Sequence, residues 1–490
     1  MIKKNKIKAM AAPADPEAIT GKVLLALDWP EGKALGQAIA AAQVLQADGQ
    51  GREPTLARLD AARQSPADYL ADPVVGDLAR ECLKAASVEV DPIYNAELRA
   101  EPLPYRIWGI EGIDPAALDQ MNNSMRLPIT VAGALMPDAH VGYGLPIGGV
   151  LATDGAVIPY AVGVDIACRM RLSVFEISPI VLGQQKERFE KALVNNTRFG
   201  AGVEWGGRQE DDVLDDPNWE ATRLLHGLHE KAARQLGTSG SGNHFVDLGE
   251  FSLAQDDPKL GLAAGNYLAL LTHSGSRGVG FKIADVYSKI AREIHPELDK
   301  ATAYLGWLNM NSEAGQEYWL SMELAGRFAA ANHRVIHQRI AKALGLKAAV
   351  VVENHHNFAW RERMADGREV IVHRKGATPA APGVLGVIPG SMGDPGYVVR
   401  GRGSADGLNS AAHGAGRQMS RNKAMESITK TMRDTYLREK GVTLLGGGLD
   451  EAPQAYKRIN DVIAAQTDLV EIVGRFKPRI VLMTDDPRDI

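Results

Sequence analysis

From about Tyr105 onward, short apolar runs such as Ile129–Leu135, Tyr267–Leu271 and Ala348–Val352 alternate with glycine-rich turns and with longer helical stretches. Apolar runs of this length, bounded by turn residues, read as buried strands, and their alternation with helices specifies a mixed α/β, or α+β, core. The helices are expected at Gly183–Val194, Ala221–Leu236, Ile283–Ile294, Glu313–Leu344, Met419–Lys440 and Ala452–Ala465, the fourth kinked or divided near Gly326. A chain of 490 residues has room for roughly two to four units, or for one large domain with an appendage. With 45% hydrophobic and 23% charged residues it is globular in composition, which excludes disordered and fibrous classes. No apolar run reaches the roughly 18 residues of a membrane span. The basic start MIKKNKIKAMAAP is not followed by the apolar segment of an export signal, so a soluble, unexported protein is expected.

Charge divides the chain. Residues 21–100 hold 12 acidic and 8 basic side chains, nearly the whole of the net charge of −5, whereas residues 396–440 hold nine Lys or Arg against four acids. The acidic segment reads as a small α/β appendage over residues 1–104, with a strand at Lys22–Leu27, a turn around Pro30-Glu31-Gly32, and helices near Leu35–Gln46 and Val75–Ala86. A linker is expected at Glu101–Pro104, where two prolines flank Leu103. The overall balance, with a pI near 6.2, lacks the basic footprint usual for nucleic-acid binding.

Chemistry concentrates at strand ends. His273 and His356 each follow an apolar run; His244 and His413 lie among glycines, in Gly-Asn-His-Phe and His-Gly-Ala-Gly-Arg; His140 stands in Asp-Ala-His-Val-Gly. Glycines at such places let a ligand approach backbone N–H groups. By contrast His226, His229, His333 and His337 fall on predicted helices with charged neighbours and read as solvated. The chain has two cysteines, too few for a disulfide framework, which favours a reducing cytoplasmic setting. Cys82 reads as a small core residue. Cys168 is either a buried hydrophobe or, three positions after Asp165 and with the strand-end histidines, part of a ligand set for a divalent transition metal in which the thiolate bridges two ions. Donor softness would favour zinc over manganese, so the residues alone do not name the metal. There is no G-x-x-x-x-G-K-[ST], strict G-x-G-x-x-G, G-x-S-x-G, C-x-x-C or K-x-D-G motif.

Taken together, eight stretches resemble the RtcB family of RNA-splicing ligases: Met-Pro-Asp-Ala-His-Val-Gly (136–142), Gly-Ala-Val-Ile-Pro-Tyr-Ala-Val-Gly-Val-Asp-Ile-Ala-Cys (155–168), Gly-Asn-His-Phe (242–245), His-Ser-Gly-Ser-Arg-Gly (273–278), His-Asn (356–357), His-Arg-Lys-Gly-Ala-Thr (373–378), Ile-Pro-Gly-Ser-Met-Gly (388–393) and His-Gly-Ala-Gly-Arg (413–417). The resemblance implies a single large catalytic domain over residues 105–490, built around a two-metal cleft. It also implies two Mn²⁺ ions held by Asp165, Cys168, His244, His273 and His356, with Cys168 touching both, and His413 as the catalytic residue that becomes guanylylated. Asn243, His244, Phe245, Val246, Asp247, His356, Asn357, Pro389, Gly390, Ser391, Met392, His413, Gly414, Ala415 and Gly416 would hold GTP. The implied reaction joins an RNA 3′-phosphate or 2′,3′-cyclic phosphate to a 5′-hydroxyl, in RNA repair or tRNA splicing, with room for an accessory activating protein and no membrane partner. Arg402, Arg417, Arg421, Lys423 and Arg433 are candidate contacts to RNA phosphates, against a solvated helix face for each.

The chain departs from the family pattern at several positions. Asp247 stands where glutamate is usual, Gly396 replaces a serine near the base, and Met483 occupies the place of a lysine, with Lys477 or Arg479 as substitutes; Arg169 and Tyr143 stand where glycine and lysine are usual. Three of these bear on base recognition. Two other classes of function therefore stay open: a metal-dependent end-modifying phosphodiesterase or guanylyltransferase that does not seal, and an RNA-binding module with a vestigial site.

Overall fold

A computed structural model describes residues 19–27, 29, 33–86 and 97–485. The chain divides into two units, Met1–Tyr94 and Asn95–Ile490. The described part of the first unit is helical throughout: Gly21–Leu25, Lys33–Ala47, Arg52–Gln64 and Gly76–Ala86, with a short 3₁₀ turn at Pro66–Tyr69. The strand expected at Lys22–Leu27 is thus a helix and turn, and the appendage is α rather than α/β among the described residues. A five-residue apolar run, Val23 to Leu27, cannot distinguish the two states by itself; here Leu24 is buried with Ala38, Ala42, Leu59, Leu78 and Cys82 in a small helix-packed core. The turn expected at Pro30-Glu31-Gly32 lies outside the described residues. The Glu101–Pro104 stretch is tied to the second unit, where Leu103 N–H donates to Met125 O at 3.2 Å and Arg99 N–H to Arg126 O at 2.8 Å.

The second unit is the mixed α/β body that the apolar runs predict. Its larger sheet runs Leu385–Ile388, Gly396–Gly401, Val470–Met483, Phe245–Leu253, Gly265–Ser274, Arg169–Phe175 and Val350–His355, with Thr443–Gly446 paired to the third of these. A five-stranded sheet runs Arg106–Ile107, Thr130–Tyr143, Leu145–Thr153, Glu369–Lys375 and Asn357–Arg363. The central strands of the larger sheet are buried on both faces, with the alternation of a two-residue period. Leu268 and Leu270 meet Ile336, Ile340 and Leu344 of the helix Glu313–Leu344; Ala269 and Leu271 pack with Met170, Leu172 and Val174 on the other side. Among the described residues, no helix is long and apolar enough to cross a membrane.

Antiparallel register decides where the chemistry falls. Met170 pairs with His273, Phe245 pairs with His273, and Arg169 pairs with His355. Two strands therefore begin, and two end, at one edge of the sheet. Cys168 and His244 immediately precede their strands, His273 is the penultimate residue of its own, and His356 immediately follows Val350–His355.

Several helices differ from expectation for local reasons. The helix Glu313–Leu344 is undivided; Gly326 packs against the Phe358 ring, whose Cε2 would lie 3.0 Å from an added Cβ, so this glycine admits a neighbour rather than a kink. Met419–Lys440 is two helices, Arg421–Ser427 and Lys430–Lys440, because Thr429 Oγ1 accepts from Met432 N–H and starts the second. Gly183–Val194 is likewise split into Val181–Gln184 and Lys186–Asn196, and Ala452–Ala465 is reduced to Pro453–Ala455 and Ile459–Ala464.

His333 and His337, expected at the surface, are buried. They face the sheet and form a chain of hydrogen bonds whose direction is determined. Ser274 O can only accept, so His333 Nε2 donates to it at 3.1 Å. His333 Nδ1 then accepts from the Thr272 hydroxyl at 2.6 Å, Thr272 accepts from His337 Nε2 at 2.9 Å, and His337 Nδ1 accepts from the Ser173 hydroxyl at 2.7 Å. Burial, helped by Arg169 at His333 and Arg171 at His337, holds both imidazoles well below the usual histidine range and hence neutral. His226 is exposed and pairs with Glu220, while His229 donates to Leu214 O and stacks on Trp219.

Because the folded state keeps these two histidines neutral, the unfolded chain takes up their protons first as the pH falls below about 6.5, and stability is lost in that direction. Denaturant titrations of the His333→Asn, His337→Asn double variant should show a stability slope between about pH 6.5 and 5 that is shallower than the parent's by up to about 2.7 kcal/mol per pH unit, the value for two protons. An unchanged slope would contradict the neutral assignment.

Candidate metal centre and nucleotide cleft

The four strand ends converge on one thiol. Cys168 Sγ lies 3.1 Å from His273 Nε2 and 3.3 Å from His244 Nε2. His244 Nε2 is 3.0 Å from Asp165 Oδ2, and His273 Nε2 is 3.2 Å from His356 Nε2. Two groups of potential ligand atoms result, Asp165 with Cys168 and His244, and Cys168 with His273 and His356; within each group the atoms lie within 4.8 Å of one another, and Cys168 belongs to both. The turn that presents Asp165 and Cys168 holds Ala167 at φ 57°, a conformation that costs energy for a residue with a Cβ and is common at functional sites. It is secured by Ala167 N–H to Asn357 O at 2.7 Å and His356 N–H to Cys168 O at 3.0 Å.

The tautomers fit a cation. His273 Nδ1 must carry the proton, since it faces Asn243 O at 2.9 Å, which leaves the Nε2 lone pair aimed at Cys168 and His356. Burial lowers His273 to about 3 and pushes His356 well below the usual range, so both imidazoles are neutral at physiological pH. Burial and the adjacent Asp165 carboxylate raise the Cys168 thiol well above its usual value. A thiolate in that position needs a cation beside it, which a bound metal supplies. Sulfur, imidazole nitrogen and carboxylate oxygen in this arrangement suit divalent transition metals, so the residues present fit the two-ion centre.

His413 stands next to this cluster, its ring centroid 4.9 Å from that of His356. Its Nδ1 lies 2.7 Å from Asp138 Oδ2, and the same oxygen accepts the backbone N–H groups of His413 at 3.0 Å and Gly414 at 3.2 Å. With Nδ1–H committed to a carboxylate, Nε2 keeps its lone pair. Asp138 is fully buried and was passed over by the sequence reasoning, although it lies inside a quoted motif. The available signal was an acid in an otherwise apolar strand. The structure adds a register break between Leu135 and His140, within which Asp138 falls. His140 Nδ1 lies 3.0 Å from Asp138 O, and burial lowers His140 to about 4.

A cleft of about 1090 Å³ adjoins these groups. Asn243, Phe245, Asp247, Asn357, Pro389, Gly390, Ser391, Met392, Gly414, Ala415 and Gly416 line it together with His413, His356, Asp165 and Cys168. Val246 does not line it: its side chain points to the opposite, helix-packed face of the sheet. His244 also lies outside the lining, although it stays within reach of Cys168 and Asp165. Two polar groups are already engaged, since Asn357 Oδ1 accepts from Gly376 N–H at 2.8 Å and the Gly414 N–H is bound to Asp138.

One end of the cleft is apolar. Asp247 is buried there with Oδ1 lacking a hydrogen-bond partner, and burial raises its carboxyl well above the usual range despite a hydrogen bond from the Leu482 backbone. Met483 and Gly396 also line the cleft. Lys477 pairs across the sheet with Glu250, and Arg479 reaches Glu250 at 3.4 Å; neither lines the cleft, so neither replaces a cation at Met483. Arg169, near Cys168, is buried and 3.3 Å from Glu353.

The basic residues separate into three kinds. Arg417 and Arg421 line the cleft, but both are paired with the Asp450–Glu451 acids: Arg417 donates to Asp450 O at 2.7 Å and meets Glu451 at 3.4 Å, and Arg421 contacts both carboxylates. Arg433 is buried, donating to Gly447 O at 2.6 Å. Arg402 and Lys423 are exposed outside the lining. In their place the structure brings Lys375 into the cleft, buried, donating to Tyr143 O and lowered by burial to about 7. The motif containing it was noted in the sequence, but the lysine was given no role.

The tRNA-splicing ligase RtcB family matches residues 120–484. The chain is 32% identical over 410 residues to the RNA-splicing ligase RtcB of Escherichia coli K12, covering 77% of this chain and 96% of that protein. It is 31% identical over 460 residues to the tRNA-splicing ligase RtcB of Nanoarchaeum equitans, covering 78% and 95%, and 31% identical over 441 residues to that of Thermococcus kodakarensis, covering 74% and 89%. With a family match over residues 120–484 and with relatives at 31–32% identity covered over 89–96% of their length, this chain belongs to the RtcB family.

Proposed function

We propose that this protein is an RNA ligase that joins a 3′-phosphate or 2′,3′-cyclic phosphate end to a 5′-hydroxyl end, using GTP, two Mn²⁺ ions and a guanylylated His413. The observation that carries the reading is the position of His413, its Nε2 freed by Asp138 and its ring beside ligands that share Cys168. When bound, the ions supply charge withdrawal and orientation at the phosphates. Mn²⁺ rather than another divalent ion follows from the family, because the ligand atoms themselves do not choose it.

His413 Nε2 attacks the α-phosphorus of GTP, forming a P–N bond as the bond to pyrophosphate breaks. The imidazole becomes cationic as the bond forms, and the buried Asp138 carboxylate stabilises that charge while fixing the ring. GMP passes to the RNA 3′-phosphate, forming a P–O–P anhydride and releasing His413. The 5′-hydroxyl oxygen then attacks the activated phosphorus, loses its proton and expels GMP, leaving a 3′,5′-phosphodiester. A 2′,3′-cyclic end takes up one water beforehand, opening to the 3′-phosphate. The two cysteines are free, and a ligand thiol at Cys168 suits the reducing cytoplasm, where we place the protein.

Incubation with GTP labelled at the α-phosphate and Mn²⁺ should leave an acid-labile, alkali-stable label on the parent and none on His413→Ala; a label that survives this substitution would refute His413 as nucleophile. Running ATP beside GTP tests whether the base end formed by Asp247, Gly396 and Met483 keeps guanine selectivity. The Asp138→Asn variant keeps the size of the side chain but loses the charge, and its labelling rate should fall by about a hundredfold or more. A rate within about threefold of the parent would show that Asp138 only supports the fold.

A further inference from the structure

Tyr143, Tyr160 and Tyr304 form an aromatic row to which the reaction steps above assign no role. Tyr143 ends the strand Thr130–Tyr143, and its side chain is 65% exposed. Its presentation is nonetheless fixed. Gly144 turns the chain at φ 69°, and a Cβ at that position would meet Tyr304 O at 2.8 Å. Lys375 Nζ donates to Tyr143 O. The Tyr143 ring meets Tyr304 edge to face at 5.5 Å between centroids and 60° between planes, and Tyr304 meets Tyr160 at 4.7 Å and 67°.

Cations back this aromatic row. The Arg292 guanidinium lies 5.3 Å from the Tyr304 ring centroid, and Lys375 Nζ lies 6.0 Å from that of Tyr160. Tyr143 and Tyr160 line the same cleft as Asp165, Cys168 and His356. Val141 and Val164, also lining it, are 48% and 43% exposed beside them. The Tyr143 ring is thus exposed and held edge to face against Tyr304, which in turn carries the Arg292 guanidinium; exposed rings with cations nearby are the arrangement on which single-stranded nucleic acids stack unpaired bases. The row is continuous with the cleft in which the strand ends would react, so the occupant is the strand itself.

We propose that Tyr143 is a stacking platform for an unpaired nucleobase of the RNA, next to the end being joined. The proposal rests on the RNA-joining reading above. It assigns a role to a position where the family resemblance leads one to expect lysine: the face of a ring in place of a point charge. Recognition by stacking tolerates any base, so the platform accepts RNA ends without regard to sequence.

The test is steady-state joining of short RNAs by the full chain, with an abasic nucleotide placed in turn at the terminal position of the 3′-phosphate strand and of the 5′-hydroxyl strand. Tyr143→Ala should raise the RNA KM about tenfold while leaving kcat and GTP labelling of His413 close to the parent's. Tyr143→Phe, which keeps the ring, should retain the parent KM. One of the two abasic substrates should cost the parent the same factor and cost Tyr143→Ala nothing further. An unchanged KM in Tyr143→Ala, or an abasic loss that persists in full in that variant, overturns the proposal. Should the parent label itself yet join no RNA, the joining reading fails separately. RNA affinity by fluorescence anisotropy then decides the platform: a loss in Tyr143→Ala but not Tyr143→Phe supports it, and equal affinities refute it.

Discussion

The lone pairs gathered around Cys168 Sγ are the constraint on which the rest of this structure depends. A thiol, three imidazoles and a carboxylate are gathered into one small volume, with His273 Nε2 and His356 Nε2 only 3.2 Å apart. Such a set is costly to bury unless a cation joins it. The fold therefore has to hold these groups in place, and it does so with an antiparallel sheet whose register is fixed over many residue pairs. The opposite face of that sheet is tied to the helix by a neutral hydrogen-bond chain and, beside it, by Arg169, which donates to Gly326 O and pairs with Glu353. The chain from Ser173 through His337, Thr272 and His333 to Ser274 O satisfies every imidazole nitrogen and hydroxyl proton in it. It links the strand that follows Cys168 and the strand that carries His273 to a single helix.

Much of this was legible in the sequence. The apolar runs became the central strands because a strand buried on both faces needs no alternation to be recognised, only length and bounding turns. The ligand residues were marked by their place at the ends of those runs. What escaped was set by tertiary contact. His333 and His337 share a helix with Arg334 and Gln338, and nothing local says which face of that helix meets a sheet. Asp138 could be seen as an acid in a strand, but its partner is 275 residues away. The helix Gly21–Leu25 was mistaken for a strand because a short run carries no period, and the break at Thr429 was missed because a capping residue inside a helical pattern looks like any other threonine.

The electrostatic picture also changed. The excess of Lys and Arg in residues 396–440 suggested a path for RNA phosphates, yet Arg417 and Arg421 are neutralised by Asp450 and Glu451 and Arg433 is bound to a backbone carbonyl. Counting charges along a segment cannot show which are already paired. The basic side chain that the fold brings to the cleft is instead Lys375, which burial lowers to about 7. At the end of the cleft lined by Gly396 and Met483, Asp247 is an acid whose carboxyl burial raises well above the usual range.

In the proposed centre Cys168 joins two ion sites into one. Equilibrium dialysis against Mn²⁺, followed by electron paramagnetic resonance of the bound ions, tests it directly. Two ions per chain are expected, magnetically coupled through the shared thiolate, with both sites weakened together in Cys168→Ala. One ion per chain, or two uncoupled ions of which only one responds to loss of the thiol, would contradict it.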